Sequence, residues 1–196
     1  MDSLALTFSS GWASGVNAYL VVLVLGIADR VGGFGDIPDV LGSWPVLAAA
    51  AGLYAWEFVA DKIPYVDSTW DAISTVIRPT VAAVIGVLMA GDADSLDQAV
   101  SAVVGGGTAL LSHTVKAGSR LAINASPEPF SNIAASLTED VAVLAVIAFA
   151  IEHPHAAAAV AAVLLVAGLG VLYFLARVIR RGWRRWKGKD RPAPAL

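Results

Sequence analysis

Arg78 is the eleventh residue of a 23-residue apolar run, Ser68 to Ala90. A guanidinium there lies near the middle of whatever that run crosses. Pro79 follows it and removes a backbone donor, which favours a kink or local unwinding. Glu139 and Asp140 lie midway along a second run, Pro127–Ile151, and Asn17 midway along a third, Leu6–Ile27. Charges at bilayer depth cost several kcal/mol unless paired or hydrated. Four polar positions at one depth, on three runs, predict one constellation, with Arg78 paired to Glu139 or Asp140. Adjacent acids point about 100° apart on a helix. One of the two therefore faces Arg78, and the other needs water, a proton or another donor.

A second polar layer is expected towards the cytoplasm. Glu57 and Asp61 are four apart and share a helix face, which Tyr54 extends by a turn. Asp71, Ser74 and Arg78 form a stripe, as do His113, Lys116 and Arg120, and Asn132, Ser136 and Glu139. Together they predict a polar cleft with Arg78 at its floor. A cationic floor with hydroxyl and amide walls suits a small anion or anionic headgroup, and acids beside His113 suit proton coupling. The competing reading is structural: a buried Arg–Glu pair locks two helices together. In that reading Glu57, Asp61, Lys62, Lys116 and Arg120 reach the interface by snorkelling.

The elements that position these residues follow from composition. Of 196 residues, 57% are hydrophobic and 15% charged. A soluble domain has roughly 45–50% and about 25%, so an ordinary soluble domain and a disordered chain are both excluded. A crossing needs about 20 apolar residues. Leu6–Ile27, Pro45–Asp61, Ser68–Ala90, Leu96–Arg120, Pro127–Ile151 and Ala156–Ala176 read as helices with short loops. The prediction is an all-α integral membrane protein, a bundle of about six transmembrane helices over residues 1–178, with a basic cytoplasmic tail over 179–196. Five crossings is the rival, should Pro45–Asp61 be too short or re-entrant. The segment after Ala176 holds eight of the thirteen basic residues, so the tail is expected inside. Six crossings then place both termini in the cytoplasm. Met1-Asp2-Ser3-Leu4 carries no positive charge, so no cleaved secretory signal is expected.

Other signals are bland. Gly11 and Gly15 form a GxxxG pair suited to helix packing, and Gly105-Gly106-Gly107 suits a close crossing or a break. Asp92 and Asp94 read as a solvated loop with a helix cap. His153 and His155 lack nameable partners for a metal. There are no cysteines, and no HExxH zinc motif, phosphate loop or GxSxG elbow is present. No metal or cofactor is expected, and an intramembrane enzyme using Glu139, Asp140 and His113 is the weakest reading. Trp183 and Trp186 among the tail basics suit anionic lipid. The bilayer is the expected partner, and nucleic acid is not.

Residues 70–84 and 130–144 align at an offset of sixty, with Trp70 on Phe130, Ile73 on Ile133 and Val81 on Val141. This predicts an internal repeat of helices 2–3 and 4–5 about an axis along the membrane normal. Four stretches carry a further likeness: Ala13-Ser14-Gly15-Val16-Asn17-Ala18-Tyr19, Trp56-Glu57-Phe58-Val59-Ala60-Asp61-Lys62-Ile63-Pro64, Lys116-Ala117-Gly118-Ser119-Arg120 and Pro127-Glu128-Pro129-Phe130-Ser131-Asn132. They resemble the bacterial membrane family catalogued as domain of unknown function 4126, over roughly residues 8–178. The resemblance implies a multi-span protein of a bacterial cytoplasmic membrane and no settled activity. On the residues alone, the expected function is a small transporter or flippase for an anionic or amphipathic solute. A homodimer would supply the size that one protomer lacks. The alternative is a structural or assembly subunit of a membrane complex.

Overall fold

The structure is a computed structural model and describes residues 2–32, 34–35, 37–124 and 129–189. Among the described residues there are six helices and no strands: α1 (Asp2–Gly32), α2 (Trp44–Ala60), α3 (Pro64–Ala90), α4 (Ser95–Asn124), α5 (Pro129–Glu152) and α6 (Pro154–Lys189). The expected break at Ser126-Pro127-Glu128 and the end of the tail from Asp190 lie outside the described residues. Local chemistry explains the boundaries. α5 and α6 start at prolines, whose missing donor costs nothing at a first turn. Gly91, with φ at 56°, ends α3. Asp94 Oδ1 accepts from the amides of Leu96 and Asp97, both at 2.9 Å, and caps α4 as expected. The basic segment is not a separate tail at its start, because α6 runs unbroken through residue 179 to Lys189.

The bundle is polar within and apolar without. Arg78, Arg120, His113, Glu57, Asn17 and Asn132 are among the largest fully buried side chains, while Val76, Val103, Phe130, Val141, Val166 and Phe174 are exposed. That distribution suits an apolar solvent rather than water. α1, α3, α5 and α6 are long and apolar enough to cross a membrane, compatible with a multi-pass membrane protein. α2 is shorter, and α4 turns its charged stripe inward, with Ser112, His113, Lys116 and Arg120 buried.

α1 is the hub: most of it is enclosed, and it touches all five other helices. Small residues allow this. A Cβ on Gly11 would lie 2.6 Å from the Gly105 carbonyl oxygen, and one on Gly15 would overlap Ser112 Oγ and the Ala109 carbonyl. The GxxxG pair is thus used up inside the chain. Gly105 also packs on Ala82, and α4 passes the three glycines without a break.

The pairings give the helix directions. Thr7 meets Met89 and Gly15 meets Arg78, so α3 runs opposite to α1. Gly11 meets Gly105 and Val16 meets Lys116, so α4 runs with α1. Arg120 meets Glu139, and Asn124 meets Asn132, so α5 runs opposite to α4. Gly118 packs on Leu172, and Val115 on Gly168, so α6 runs with α4. α2 starts beside Arg30 and Gly26, at the far end of α1. It ends beside Lys116, which also touches Val16 at the middle of α1. Tyr54 meets Asp140 and Lys62 meets Ser136, so α2 runs opposite to α5, and so opposite to α3. The first half of α1 and the whole of α6 both run with α4, so the start of α1 and the end of α6 lie at opposite ends of the bundle. This corrects the expected six alternating crossings, which would put them at one end.

Gly15→Ala is expected to lower the unfolding midpoint of the detergent-solubilised protein, at a cost of about 1–3 kcal/mol from overpacking. Gly107→Ala, with no atom near the added carbon, is expected to leave it unchanged or raise it slightly.

Candidate functional site

α1 breaks at the centre of the bundle. Asn17 has φ −152° and ψ 94°, an extended conformation between two helical halves. Its side chain takes over as a cap: Oδ1 accepts from the Leu20 amide at 3.0 Å, three residues on. The break opens the last carbonyls of the first half to outside donors. Gly15 O accepts from Arg78 Nη1 at 3.2 Å, and Val16 O from Lys116 Nζ at 3.1 Å. The end of α2 is met in the same way, with Asp61 O accepting from Arg120 Nη1 at 3.0 Å. Two helix C-termini, each the negative end of its dipole, meet three buried cations in the middle of the bundle.

Carboxylates complete the cluster. Arg78 Nη2 donates to Glu57 Oε1 at 2.5 Å, and both side chains are fully buried. Lys116 Nζ lies 2.8 Å from Asp61 Oδ2 and 3.5 Å from both Glu57 Oε1 and Glu139 Oε2. Arg120 holds Glu139 through Nε at 3.2 Å and Nη2 at 2.6 Å, and its Nη1 reaches Asn132 Oδ1 at 3.1 Å. The expected pairing of Arg78 with Glu139 or Asp140 is therefore replaced. α2 inserts Glu57 beside Arg78, Glu139 goes to Arg120, and Asp140 Oδ1 accepts from Asn17 Nδ2 at 3.1 Å. Tyr54 Oη donates to Asp140 Oδ2 at 3.3 Å. The snorkelling reading also fails for Glu57, Asp61, Lys116 and Arg120, which are buried in the network. Lys62 is half-buried over the Phe58 ring. Burial draws its ammonium below the ordinary value, against the opposing pull of Asp140 and Asp61.

His113 is fixed by its neighbours. Arg78 Nη1 is 2.8 Å from Nδ1 and can only donate, so Nδ1 accepts. The ring hydrogen then sits on Nε2, which lies 3.0 Å from both the Asp71 carbonyl and Thr75 Oγ1. A proton on Nδ1 would face the guanidinium directly. The hydrogen bond to Arg78 thus removes His113 from the expected proton-carrying role.

Acids exceed cations. Among the described residues Glu57, Asp61, Asp67, Asp71 and Asp140 are buried acids, against Arg78, Lys116 and Arg120. Adding half-buried Glu139 and Lys62 leaves the same excess of two. Asp67 and Asp71 lie four apart on α3, with cations no nearer than 3.9 Å (Arg120) and 3.4 Å (Arg78), and Asp140 is held by Asn17 and Tyr54 rather than by a cation. Sequence reasoning put Asp71 in the stripe with Ser74 and Arg78 but gave Asp67 no role, although its i, i+4 spacing from Asp71 was visible. Two cavities flank the network. One, of about 200 Å³, is lined by Ser68, Asp71, Thr75 and Arg120 among others. The other, of about 140 Å³, reaches Lys116 and Glu139. Neither includes Arg78, so the expected anion floor has no open face here.

Arg78→Met would strand Glu57 and is expected to cost about 3–5 kcal/mol of stability. Arg78→Met combined with Glu57→Leu should recover much of that loss in the unfolding midpoint. A double variant as unstable as the single would show that Glu57 is not the main partner of Arg78.

No match was found among curated proteins or among solved structures. A family model does match, and it spans nearly all of the helical bundle, including every residue of the charge network. The chain belongs, over residues 4–173, to the family described as Domain of unknown function (DUF4126).

Proposed function

We propose that the protein is a small multi-span membrane transporter coupled to cations, protons foremost, with the break in α1 and the acid-rich network as its ion site. The observation that carries this reading is the broken helix itself. Non-helical backbone at membrane depth is tolerated where it is buried in protein or lines a hydrated cavity. Discontinuous helices whose C-terminal ends face ions recur at transporter binding sites. An interior with more acid than base repels anions, so the anionic solute expected from Arg78 gives way to a proton or a cationic headgroup. Arg78 then serves as a clamp between the halves of the site. A second reading, a structural membrane subunit, is favoured by the direct pairing of Arg78. Its assembly motif is weakened, because α4 already covers Gly11 and Gly15.

The same reading makes the bundle five crossings, α2 to α6, with α1 turning back at its break to meet the start of α2. One end carries Lys62 and the arginines of α6, and the other carries Arg30, Asp92, Asp94 and Glu152. By the distribution of Lys and Arg, the C-terminus is inside and the N-terminus outside. The chain has no cysteines, so a single introduced one reports this cleanly. Ser3→Cys in intact cells should react with a membrane-impermeant maleimide. Six crossings would leave it protected until the cells are opened.

Transport is tested with proteoliposomes on a supported membrane, given acid jumps and a panel of cationic and zwitterionic solutes. The expected result is a transient inward current that Asn17→Ala reduces several-fold. Folded wild-type protein that gives no current under any of these conditions would leave the structural reading.

A further inference from the structure

Asp71 is 4% exposed, and neither of its carboxylate oxygens has a hydrogen-bond donor. Its nearest cation is Arg78, with Nη1 3.4 Å from Oδ1, and that guanidinium is already committed to Glu57, Gly15 and His113. The other surplus acid, Asp67, accepts from Asn124 Nδ2 at 2.7 Å. Asp140 accepts from Asn17 and Tyr54. Asp71 alone among the three lacks any donor, and it alone of them lines the 200 Å³ cavity. That cavity also exposes Ser68, Thr75 and Arg120 to its contents, and it reaches the exposed Leu121 at the bundle surface. A buried carboxylate without donors is held by a proton or a cation, because the bare charge is costly in a low dielectric. The volume admits several waters.

We propose that Asp71 is the proton-binding carboxylate of the network, loaded through the cavity between α3 and α4. The proposal rests on the cation-coupled reading above and names its ion and its residue. In the loading step a hydronium in the cavity gives its proton to Asp71 Oδ2. One O–H bond forms, water is left behind, and the network gains one positive charge. Around it stand the acids Glu57 and Asp61 of α2, Asp67 of α3 and Glu139 of α5, and the cations Arg78 of α3 and Lys116 and Arg120 of α4. His113 presents its Nε2 hydrogen to the Asp71 carbonyl rather than to the carboxylate. α1 contributes Tyr19, stacked near Trp70 at 6.5 Å. Gain of the proton removes the charge that Arg78 faces at 3.4 Å and leaves that guanidinium to Glu57, Gly15 and His113.

Infrared difference spectroscopy of the full chain in lipid nanodiscs tests this without any transport assay. A carboxylic-acid carbonyl band that titrates with pH and shifts in D2O is expected from the wild type. It should be lost in Asp71→Asn and kept in Asp67→Asn and Asp140→Asn. Should Asp71→Asn fail to fold, Asp71→Glu should shift the band. A band that survives Asp71→Asn, one unmoved in Asp71→Glu, or no band at any pH would overturn the assignment. So would a difference spectrum produced by sodium at constant pH, which would make this a metal-cation site. A titrating Asp71 in a protein that gives no current would keep the assignment and overturn the transport reading instead.

Discussion

The arrangement depends on three buried cations that each bind a backbone carbonyl at an interior helix end. Arg78 takes Gly15, Lys116 takes Val16 and Arg120 takes Asp61. Open carbonyls inside a bilayer are several kcal/mol too costly to leave alone. Without these donors α1 could not break at Asn17 and the end of α2 could not lie buried. The cations are costlier still to bury, and each side satisfies the other in part. The carboxylates of Glu57, Asp61 and Glu139 then neutralise what the carbonyls cannot. Removing any one partner therefore exposes several others, which is why the network reads as one unit rather than as separate salt bridges.

Much of the fold was legible in the chain, because the lipid-facing solvent writes itself into composition. Ala156–Ala176 and Leu6–Ile27 are apolar enough to stand out, and the turn chemistry at Gly91-Asp92-Ala93-Asp94 places a boundary correctly. Two features were hidden. Leu6–Ile27 reads as one unbroken crossing by composition, since a helix that breaks at mid-depth is as apolar as one that does not. The partner of Arg78 was also hidden, because depth along a helix does not say which neighbour is adjacent. Counting residues put Glu139 level with Arg78, but the insertion of α2 brings Glu57 there instead. Asn17 was visible as a polar residue at mid-depth. Its use as a cap within a helix was not, since the same residue inside an unbroken helix would simply have been a buried amide.

The site also separates two roles that the sequence merges. Arg78 has the right charge for an anion receptor, yet its donors are spent on the protein. His113 has the right chemistry for a proton relay, yet Arg78 occupies the nitrogen it would use. The acid left without a donor on either oxygen is Asp71 of α3, beside a cavity. Residue type alone points to the cations, whereas the tally of donors and acceptors points to the acids that remain after every pair is made.

The enclosure of α1 bears on how the chain is made. Of these six helices it is the first to leave the ribosome, and it is the one the other five eventually surround. When it enters the bilayer, its partners on α3, α4 and α5 have not been synthesised. Ser9, Ser10, Ser14 and Asn17 then face lipid or the insertion machinery, although two serines already bond backward to their own helix, at Ala5 O and Leu6 O. Those local bonds let the segment wait without its final neighbours. Each later helix brings its charged stripe to a surface already in place, so the first made of the six helices acts as the template on which the polar interior is assembled.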